Sequence, residues 1–202
     1  AVSFDNARLF KLATVDGLTE LYVRRFFEIR LVEELARVRR HGGTIALPTA
    51  TAKHFDHEIE LVIVFGRECR NVSEANALDY VAGYCTGNDF SARDLQYLTS
   101  QFMIGKTFDG FAPLGPHLVT SDLVGDPNNL RLECRVNGEQ RQDWTTSDMI
   151  FNCRQMISFA SRMMTIKPGG IFFTGTRRRR REAPWRRLPA LSSEETVDSD
   201  MG

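Results

Sequence analysis

The segment from His57 to Phe65 constrains the fold more than any other, because both of its faces are apolar after its first residue, His57, apart from two glutamates near its start. Side chains alternate between the faces of a β-strand, so Glu58 and Glu60 point the same way, about 7 Å apart. They share their face with two valines, and the opposite face carries Ile, Leu, Ile and Phe. We therefore predict a strand that is buried on both sides.

Two carboxylates at the start of a buried strand would be partly desolvated and would repel each other. Such a pair is unfavourable unless a cation neutralises it, so Glu58 and Glu60 are candidate metal ligands. This segment alone leaves an alternative open, in which the end of the strand reaches solvent and both acids are simply exposed.

A second charged group lies at 87–96, where Asp89, Arg93 and Asp94 stand among small and apolar residues. One interpretation adds Asp89 to the two glutamates. Three oxygen donors would select a hard cation, Mg²⁺, Mn²⁺ or Ca²⁺, over Zn²⁺. The structural alternative is that Asp89 or Ser91 caps a turn while Arg93 pairs with an acid.

Lys106 lies in the stretch 105–116, which has three glycines and two prolines in twelve residues. This composition predicts a rigid, irregular loop. A lysine held there suits an anionic ligand. The letters Gly-Lys-Thr are also those of a nucleotide-binding loop, but Ser100 stands where that loop needs its first glycine. We therefore exclude nucleotide binding on this motif.

Composition excludes several other classes. The chain has 202 residues, 42% of them hydrophobic, which is enough for a real core. Basic and acidic residues are balanced at 26 each, which argues against a dedicated nucleic-acid binder. No apolar run approaches the ~20 residues of a membrane span. The four cysteines have no zinc-like spacing and indicate buried thiols in a reducing compartment. Without a visible signal peptide, we expect a cytoplasmic protein.

The sequence divides into three parts that differ in composition and in hydrophobic pattern. Residues 1–40 combine short strands with an amphipathic helix, whose apolar positions from Val23 to Val38 recur every three or four residues. Residues 41–176 are predicted to be mainly β with short helices, an α+β fold. Residues 177–202 hold five consecutive arginines and then an acidic stretch, which predicts a disordered tail.

Local signals place the elements of the central part. Asn137-Gly138 favours a tight hairpin turn, and Asn152 with Gln155 forms a capping-box pattern. The predicted elements are a strand at 57–65, a short helix at 73–82 with Ser73 as its N-cap, a hairpin at 130–142, a helix from 152 through 164, and a buried strand at 171–173.

The same segments, in the same order, resemble the fumarylacetoacetate hydrolase family. The motifs that carry the resemblance lie at 56–61, 83–96, 105–109 with 113–116, 136–139, 146–151, and 168–169 with 174–176. They cover about residues 41–176. Six motifs in the right order form a highly specific match.

The resemblance implies a fold and a metal centre. The fold is the family's mixed β-sandwich roll with a few short helices. Glu58, Glu60 and Asp89 match the family's metal-binding carboxylates, with Mg²⁺ expected and Mn²⁺ or Ca²⁺ as alternatives.

The resemblance also implies a substrate site. Lys106 and Arg93 are expected to be catalytic groups that stabilise negative charge. The expected substrate-binding residues are Arg93, Gln96, Lys106 and Thr176. Family members act on β-diketo acids and related oxo acids, by hydrolysis or decarboxylation of a carbon–carbon bond or by isomerisation of an enol. The expected partners are such an oxo acid and a second copy in a homodimer, with neither nucleic acid nor membrane.

Two departures from the family pattern leave an alternative function open. The family's lid motif, Asn-Tyr-x-x-His-x-x-Glu, has its nearest match at Tyr22 to Glu28, where Arg25 replaces the histidine. After Thr176, the arginine run replaces a proline and a glycine-rich loop. The alternative is a catalytically impaired relative that keeps the metal-binding fold. Nucleic-acid binding by the arginine run is disfavoured by the neutral charge balance and the acidic stretch beside it.

Overall fold

The computed structural model describes residues 45–176 and the backbone of residues 197–201. The strands are β1 (Phe55–Asp56), β2 (Ile59–Phe65), β3 (Val81–Asn88), β4 (Ser91–Ala92), β5 (Val119–Thr120), β6 (Arg131–Val136), β7 (Glu139–Thr145), β8 (Ile171–Phe173) and β9 (Val197–Met201). The α-helices are α1 (Arg93–Gln96), α2 (Ser121–Val124) and α3 (Cys153–Met163), and 3₁₀ helices span Glu74–Tyr80, Phe102–Gly105 and Thr146–Asp148. These elements confirm the predicted mainly β fold with short helices.

The central sheet has the order β5-β3-β2-β8, and all of its pairs are antiparallel. Every residue of β2 is buried, which confirms the strand predicted from its two apolar faces. One face packs into the main core with Leu132 and Ile157, and the other packs with Cys85 and Phe173. Glycine at position 87 permits this packing, since a Cβ there would lie 2.5 Å from side-chain atoms of both Val62 and Phe173.

A second sheet has the order β7-β6-β9. The hairpin prediction is confirmed, with Asn137 at φ 52° and Gly138 at φ 79° in the turn. β9 pairs with β6 in a register that sets Val197 opposite Val136 and Met201 opposite Leu132. The predicted disordered tail is therefore wrong for Val197–Met201, because this segment pairs with the edge of β6 despite its acidic residues.

Other predictions about local structure had mixed outcomes. Helix α3 begins with the predicted capping box of Asn152 and Gln155. The helix predicted at 73–82 is a 3₁₀ helix whose N-cap residue, Ser73, makes no side-chain capping bond. Strand β8 is not buried as predicted, because Ile171 is exposed and the two phenylalanines after it are only partly covered.

The remaining predictions about segments and residue classes were tested only in part. All four cysteines are buried and unpaired, as expected from their spacing. In the described part of the chain, no helix has the length and apolar character needed to cross a membrane. The predicted helix and lid motif within 1–40, and the tail at 177–196, lie outside the described residues.

Candidate metal and anion site

The antiparallel pairing of β2 and β3 brings the candidate ligands together. The register sets Ile59 opposite Asn88, so Glu58, just before β2, meets Asp89, just after β3. The backbone N–H of Asp89 donates to the Glu58 carbonyl at 2.8 Å, and the N–H of Glu58 donates to the Asn88 side-chain oxygen at 2.8 Å. A paired strand end, rather than a mobile loop, therefore positions the acids.

Glu58, Glu60 and Asp89 form a compact carboxylate cluster, in which one oxygen from each lies within 4.8 Å of the others. Glu60 is only 3% exposed, and the other two are partly buried. The alternative of solvent-exposed acids is therefore wrong. The capping part of the alternative for Asp89 is also wrong, since the N-cap residue of α1 is Ala92 and no side chain caps that helix. Its other part is observed, because Arg93 forms ion pairs with acids.

Lys106 reaches the cluster from the loop that follows the 3₁₀ helix Phe102–Gly105. Its ammonium group donates to Glu58 Oε2 at 2.7 Å and to Asp89 Oδ2. Partial burial lowers the pKa of Lys106, but the hydrogen bonds and charges of these two acids outweigh that effect and raise it overall. Lys106 therefore keeps its proton and acts as a hydrogen-bond donor.

Arg93, the first residue of α1, lies on the other side of Glu58. Its Nη2 donates to Glu58 Oε1 at 2.6 Å and to Asp56 Oδ2 at 2.7 Å, and its Nε donates to the same Asp56 oxygen at 3.0 Å. Its Nη1 donates to the side-chain oxygen of Gln96 at 2.7 Å. Gln96 is buried. The structure thus places Gln96 behind Arg93, where it orients the guanidinium.

Glu60 has an unusual electrostatic environment. Burial raises the pKa of its carboxyl to about 8, and the negative charges of Asp89 and Glu58 act in the same direction. The N–H of Gly175, which donates to Glu60 Oε2 at 2.7 Å, and the charge of Lys106 oppose the rise. The carboxylate form of Glu60 is therefore unfavourable unless more positive charge is brought close to it.

The charges of the site do not balance. Among the residues that the structure describes, four carboxyl groups meet two cationic side chains. The acids are Asp56, Glu58, Glu60 and Asp89, and the cations are Arg93 and Lys106. With His57 counted as neutral, these groups carry two excess negative charges when all four acids are ionised. A divalent cation would offset this excess. Its oxygen ligands lie at about 2.0–2.6 Å, so two of them are at most about 5 Å apart, which the cluster satisfies. The residues present therefore fit a hard divalent metal.

Thr176 joins the site through the segment that follows β8. Gly175 contacts Glu60 directly, and the Thr176 hydroxyl accepts a hydrogen bond from the side chain of Gln142 at 3.0 Å. His54, which shares strand parity with Glu58, has an exposed side chain beside Asp94, with 3.9 Å between its Nδ1 and Asp94 Oδ2.

Several contributing residues were missed from the sequence. Asp56 binds Arg93, Asn88 fixes the backbone of Glu58, and the Ser91 hydroxyl lies 3.4 Å from Glu58 Oε2. Asp56 and Ser91 lie within the motifs that carry the resemblance, and their proximity to charged residues was a usable signal. Gln142 carried no such signal, because its contact partners are 83 and 34 residues away in sequence.

Comparison with known proteins agrees with the fold. A family model described as fumarylacetoacetate (FAA) hydrolase C-terminal matches residues 27–195, a wider range than the motifs cover. The chain therefore belongs to the fumarylacetoacetate hydrolase family.

The curated relatives include both uncharacterised proteins and enzymes. A Dictyostelium discoideum protein described as a fumarylacetoacetate hydrolase domain-containing protein 2 homolog is 49% identical over 131 residues, which cover 60% of this chain and 43% of the relative. A Xenopus laevis protein described as a mitochondrial oxaloacetate tautomerase is 45% identical over 127 residues, covering 62% of this chain and 40% of the relative. The chain thus spans about two fifths of the length of these relatives.

Solved structures share the architecture. The 5-carboxymethyl-2-hydroxymuconate delta-isomerase of Mycobacterium smegmatis is 36% identical with a TM-score of 0.69, covering 79% of this chain and 59% of that one. The fumarylpyruvate hydrolase of Pseudomonas aeruginosa, solved with Mn²⁺ and pyruvate, is 30% identical with a TM-score of 0.68, covering 78% of this chain and 65% of that one. The family therefore includes both isomerases and hydrolases.

Proposed function

We propose that Glu58, Glu60 and Asp89 bind one divalent cation, with Mg²⁺ the expected metal, and that the site catalyses enol–keto exchange of a small oxo acid such as oxaloacetate. The observation that carries this proposal is the buried carboxylate cluster with its unbalanced negative charge. Support for the chemistry comes from relatives described as an oxaloacetate tautomerase and as an isomerase.

A bound divalent cation would act as a Lewis acid toward the oxo and carboxylate oxygens of the substrate. The chain itself supplies donors for the same anion. Within the described residues, Lys106 uses two of its three N–H groups and Arg93 uses four of its five, so each retains one for a ligand. These fixed donors would stabilise the negative charge that develops on an enolate oxygen.

Hydrolysis makes an additional demand, which is a group that deprotonates water near neutral pH. Histidine suits that task, whereas arginine stays protonated. If Arg25 stands at the lid position that the family resemblance assigns to it, acylpyruvate hydrolysis should be weakened by about 10²–10⁴-fold, the usual cost of one lost general base. Enol–keto exchange, which needs no activated water, should suffer less, and so should metal-assisted decarboxylation.

The test is a side-by-side assay of the Mg²⁺- or Mn²⁺-loaded chain on enol oxaloacetate, on oxaloacetate decarboxylation and on an acylpyruvate, together with Arg25→His. We expect measurable enol–keto exchange and little hydrolysis, with hydrolysis increased by Arg25→His. Robust hydrolysis that Arg25→His leaves unchanged would refute the lid assignment. Metal binding without any of the three reactions would instead support the catalytically impaired alternative.

A further inference from the structure

The side chain of Gln142 joins two elements of the site that are far apart in sequence. Gln142 lies in β7, and its Oε1 accepts a hydrogen bond from the N–H of Ile59 at 2.9 Å. Ile59 stands between Glu58 and Glu60. The Nε2 of Gln142 donates to the Thr176 hydroxyl at 3.0 Å. One amide thus bridges the strand that carries two of the acids and the segment after β8.

The chemistry of the partners fixes the orientation of this amide. A backbone N–H is a donor, so the carbonyl oxygen of Gln142 must face Ile59 and its NH₂ group must face Thr176. The Thr176 oxygen therefore receives a hydrogen bond, and the hydroxyl proton must point away from Gln142. In this arrangement Thr176 is presented as a donor.

Thr176 directly follows a residue that contacts the carboxylate cluster. The preceding residue, Gly175, donates its N–H to Glu60 Oε2 at 2.7 Å. Thr174 is held on β2 by its N–H and its hydroxyl, which both donate to the Leu61 carbonyl, at 3.1 Å and 2.9 Å. The segment 174–176 is therefore fixed along β2, and Gln142 determines the hydrogen-bonding direction of its last side chain.

We propose that Gln142 is a positioning residue that holds the Thr176 hydroxyl as a hydrogen-bond donor for the carboxylate of the anionic ligand. The proposal deepens the proposed function and rests on it. Gln142 acts through Thr176 and sets its polarity: an acceptor side chain at position 142 would use the Thr176 proton, and the hydroxyl would then offer lone pairs to an anion.

The substitution Gln142→Glu tests this polarity with almost no change in shape. Its carboxylate can still accept a hydrogen bond from the N–H of Ile59, but it must also accept one from the Thr176 hydroxyl. That hydroxyl proton is then no longer available to bind the ligand. We expect calorimetric affinity for oxalate, measured on Mn²⁺-loaded protein, to fall about tenfold, as for the loss of a hydrogen bond to a charged group. Affinity for Mn²⁺ itself should not fall.

Two comparisons separate polarity from the added charge. Gln140→Glu places the same charge on the same strand, at a side chain that contacts Glu133 rather than the site, and should leave oxalate affinity within about twofold. Thr176→Val removes the hydroxyl and should match Gln142→Glu, whereas Thr176→Ser should preserve binding. The double variant Gln142→Glu with Thr176→Val should be no weaker than either single variant, since both remove one interaction.

The outcomes distinguish this inference from the proposed function. Unmodified protein that binds neither Mn²⁺ nor oxalate would overturn both. Normal binding by the unmodified chain and unchanged oxalate affinity in Gln142→Glu would overturn the inference alone. A further tenfold loss in the double variant would also overturn it, because the added charge rather than the Thr176 proton would then explain the effect.

Discussion

The carboxylate cluster and the outer surface of the β6–β7 hairpin contain the same kinds of ion pair in opposite settings. On the hairpin, Arg131 contacts Glu133 at 2.9 Å and Asp143 at 2.8 Å, and Arg135 also contacts Glu133. Among the side chains that the structure describes, two arginines therefore meet two acids, and the Arg131 side chain is 60% exposed. At the cluster the described acids outnumber the described cations, and the Glu60 side chain is buried.

This difference indicates which of the two, the carboxylate cluster or the hairpin ion pairs, is suited to bind a charged ligand. Balanced pairs whose arginines are largely exposed contribute little to stability, and they need no additional cation. Hydrogen bonds from Arg131 lower the pKa of Asp143, so that network already favours its own charged form. A buried excess of like charge is destabilising unless another cation compensates it. The cluster thus requires an additional cation, whereas the hairpin network does not.

The largest expected effect is on metal binding. Glu60→Gln keeps an oxygen that can accept from the Gly175 N–H but removes the buried charge. Mn²⁺ affinity should fall by on the order of 100-fold or more, exceeding the ~10–100-fold loss typical of an outer partner of a metal ligand. The thermal midpoint of the metal-free protein should not fall, since the charged form of Glu60 is already unfavourable there.

The matched control is Glu133→Gln in the hairpin network. It likewise replaces a carboxylate by an amide, here in an acid that contacts two arginines, but it should leave Mn²⁺ titrations unchanged. Equal Mn²⁺ affinity in Glu60→Gln and the unmodified chain would remove the contrast between the two regions and exclude Glu60 as a ligand.

A smaller effect is expected for the cation at the cluster. Lys106→Met should weaken oxalate binding to the Mn²⁺-loaded protein by about 10–100-fold, as for a lost charge-assisted hydrogen bond. Mn²⁺ affinity should not fall, because Glu58 and Asp89 lose a competing cation. Lys167→Met, which breaks an exposed pair with Glu68, is the control and should change neither measurement. A joint fall of both affinities in Lys106→Met would mean that the lysine mainly holds the acids in place.

The sequence was sufficient to predict the parts of the site that depend on alternation and on motif. The two-faced apolar strand was predicted from period-two patterning, and the carboxylates at its start were flagged by the energetic cost of burying them. The turn at Asn137-Gly138 and the capping box at Asn152 followed from local chemistry. These features depend on residues within a few positions of one another.

The features that were missed depend on pairing between distant segments. The contact between Glu60 and Gly175 requires β8 to lie beside β2. The role of Gln142 requires the hairpin to face both Ile59 and Thr176. Strand β9 was missed because its composition is acidic and its pairing depends on the edge of β6. No local rule predicts such contacts.

The smallest expected effect is that of replacing a glycine by alanine in each region, Gly105 near the cluster and Gly138 in the hairpin turn. A Cβ at Gly105 would lie 2.8 Å from both the Ala92 carbonyl oxygen and the Gln96 nitrogen, which are backbone atoms flanking Arg93. Gly105→Ala must therefore shift α1 or the loop that carries Lys106, at a cost of about 1–3 kcal/mol for overpacking. In the hairpin turn, a Cβ at Gly138 would meet nothing within 4 Å, so Gly138→Ala is opposed by its positive φ, at about 1–2 kcal/mol.

Thermal unfolding and oxalate binding separate these two costs. Both variants should lower the thermal midpoint by similar amounts. Gly105→Ala should also weaken oxalate binding several-fold, because it changes the spacing between Lys106 and Arg93. The unused N–H groups of these two residues must keep that spacing to bind the anion together. Gly138→Ala should leave oxalate affinity unchanged, because the hairpin turn contributes no group to the cluster. Equal oxalate affinity in both variants would show that the anion site tolerates this displacement, and that the close contact at Gly105 serves packing alone.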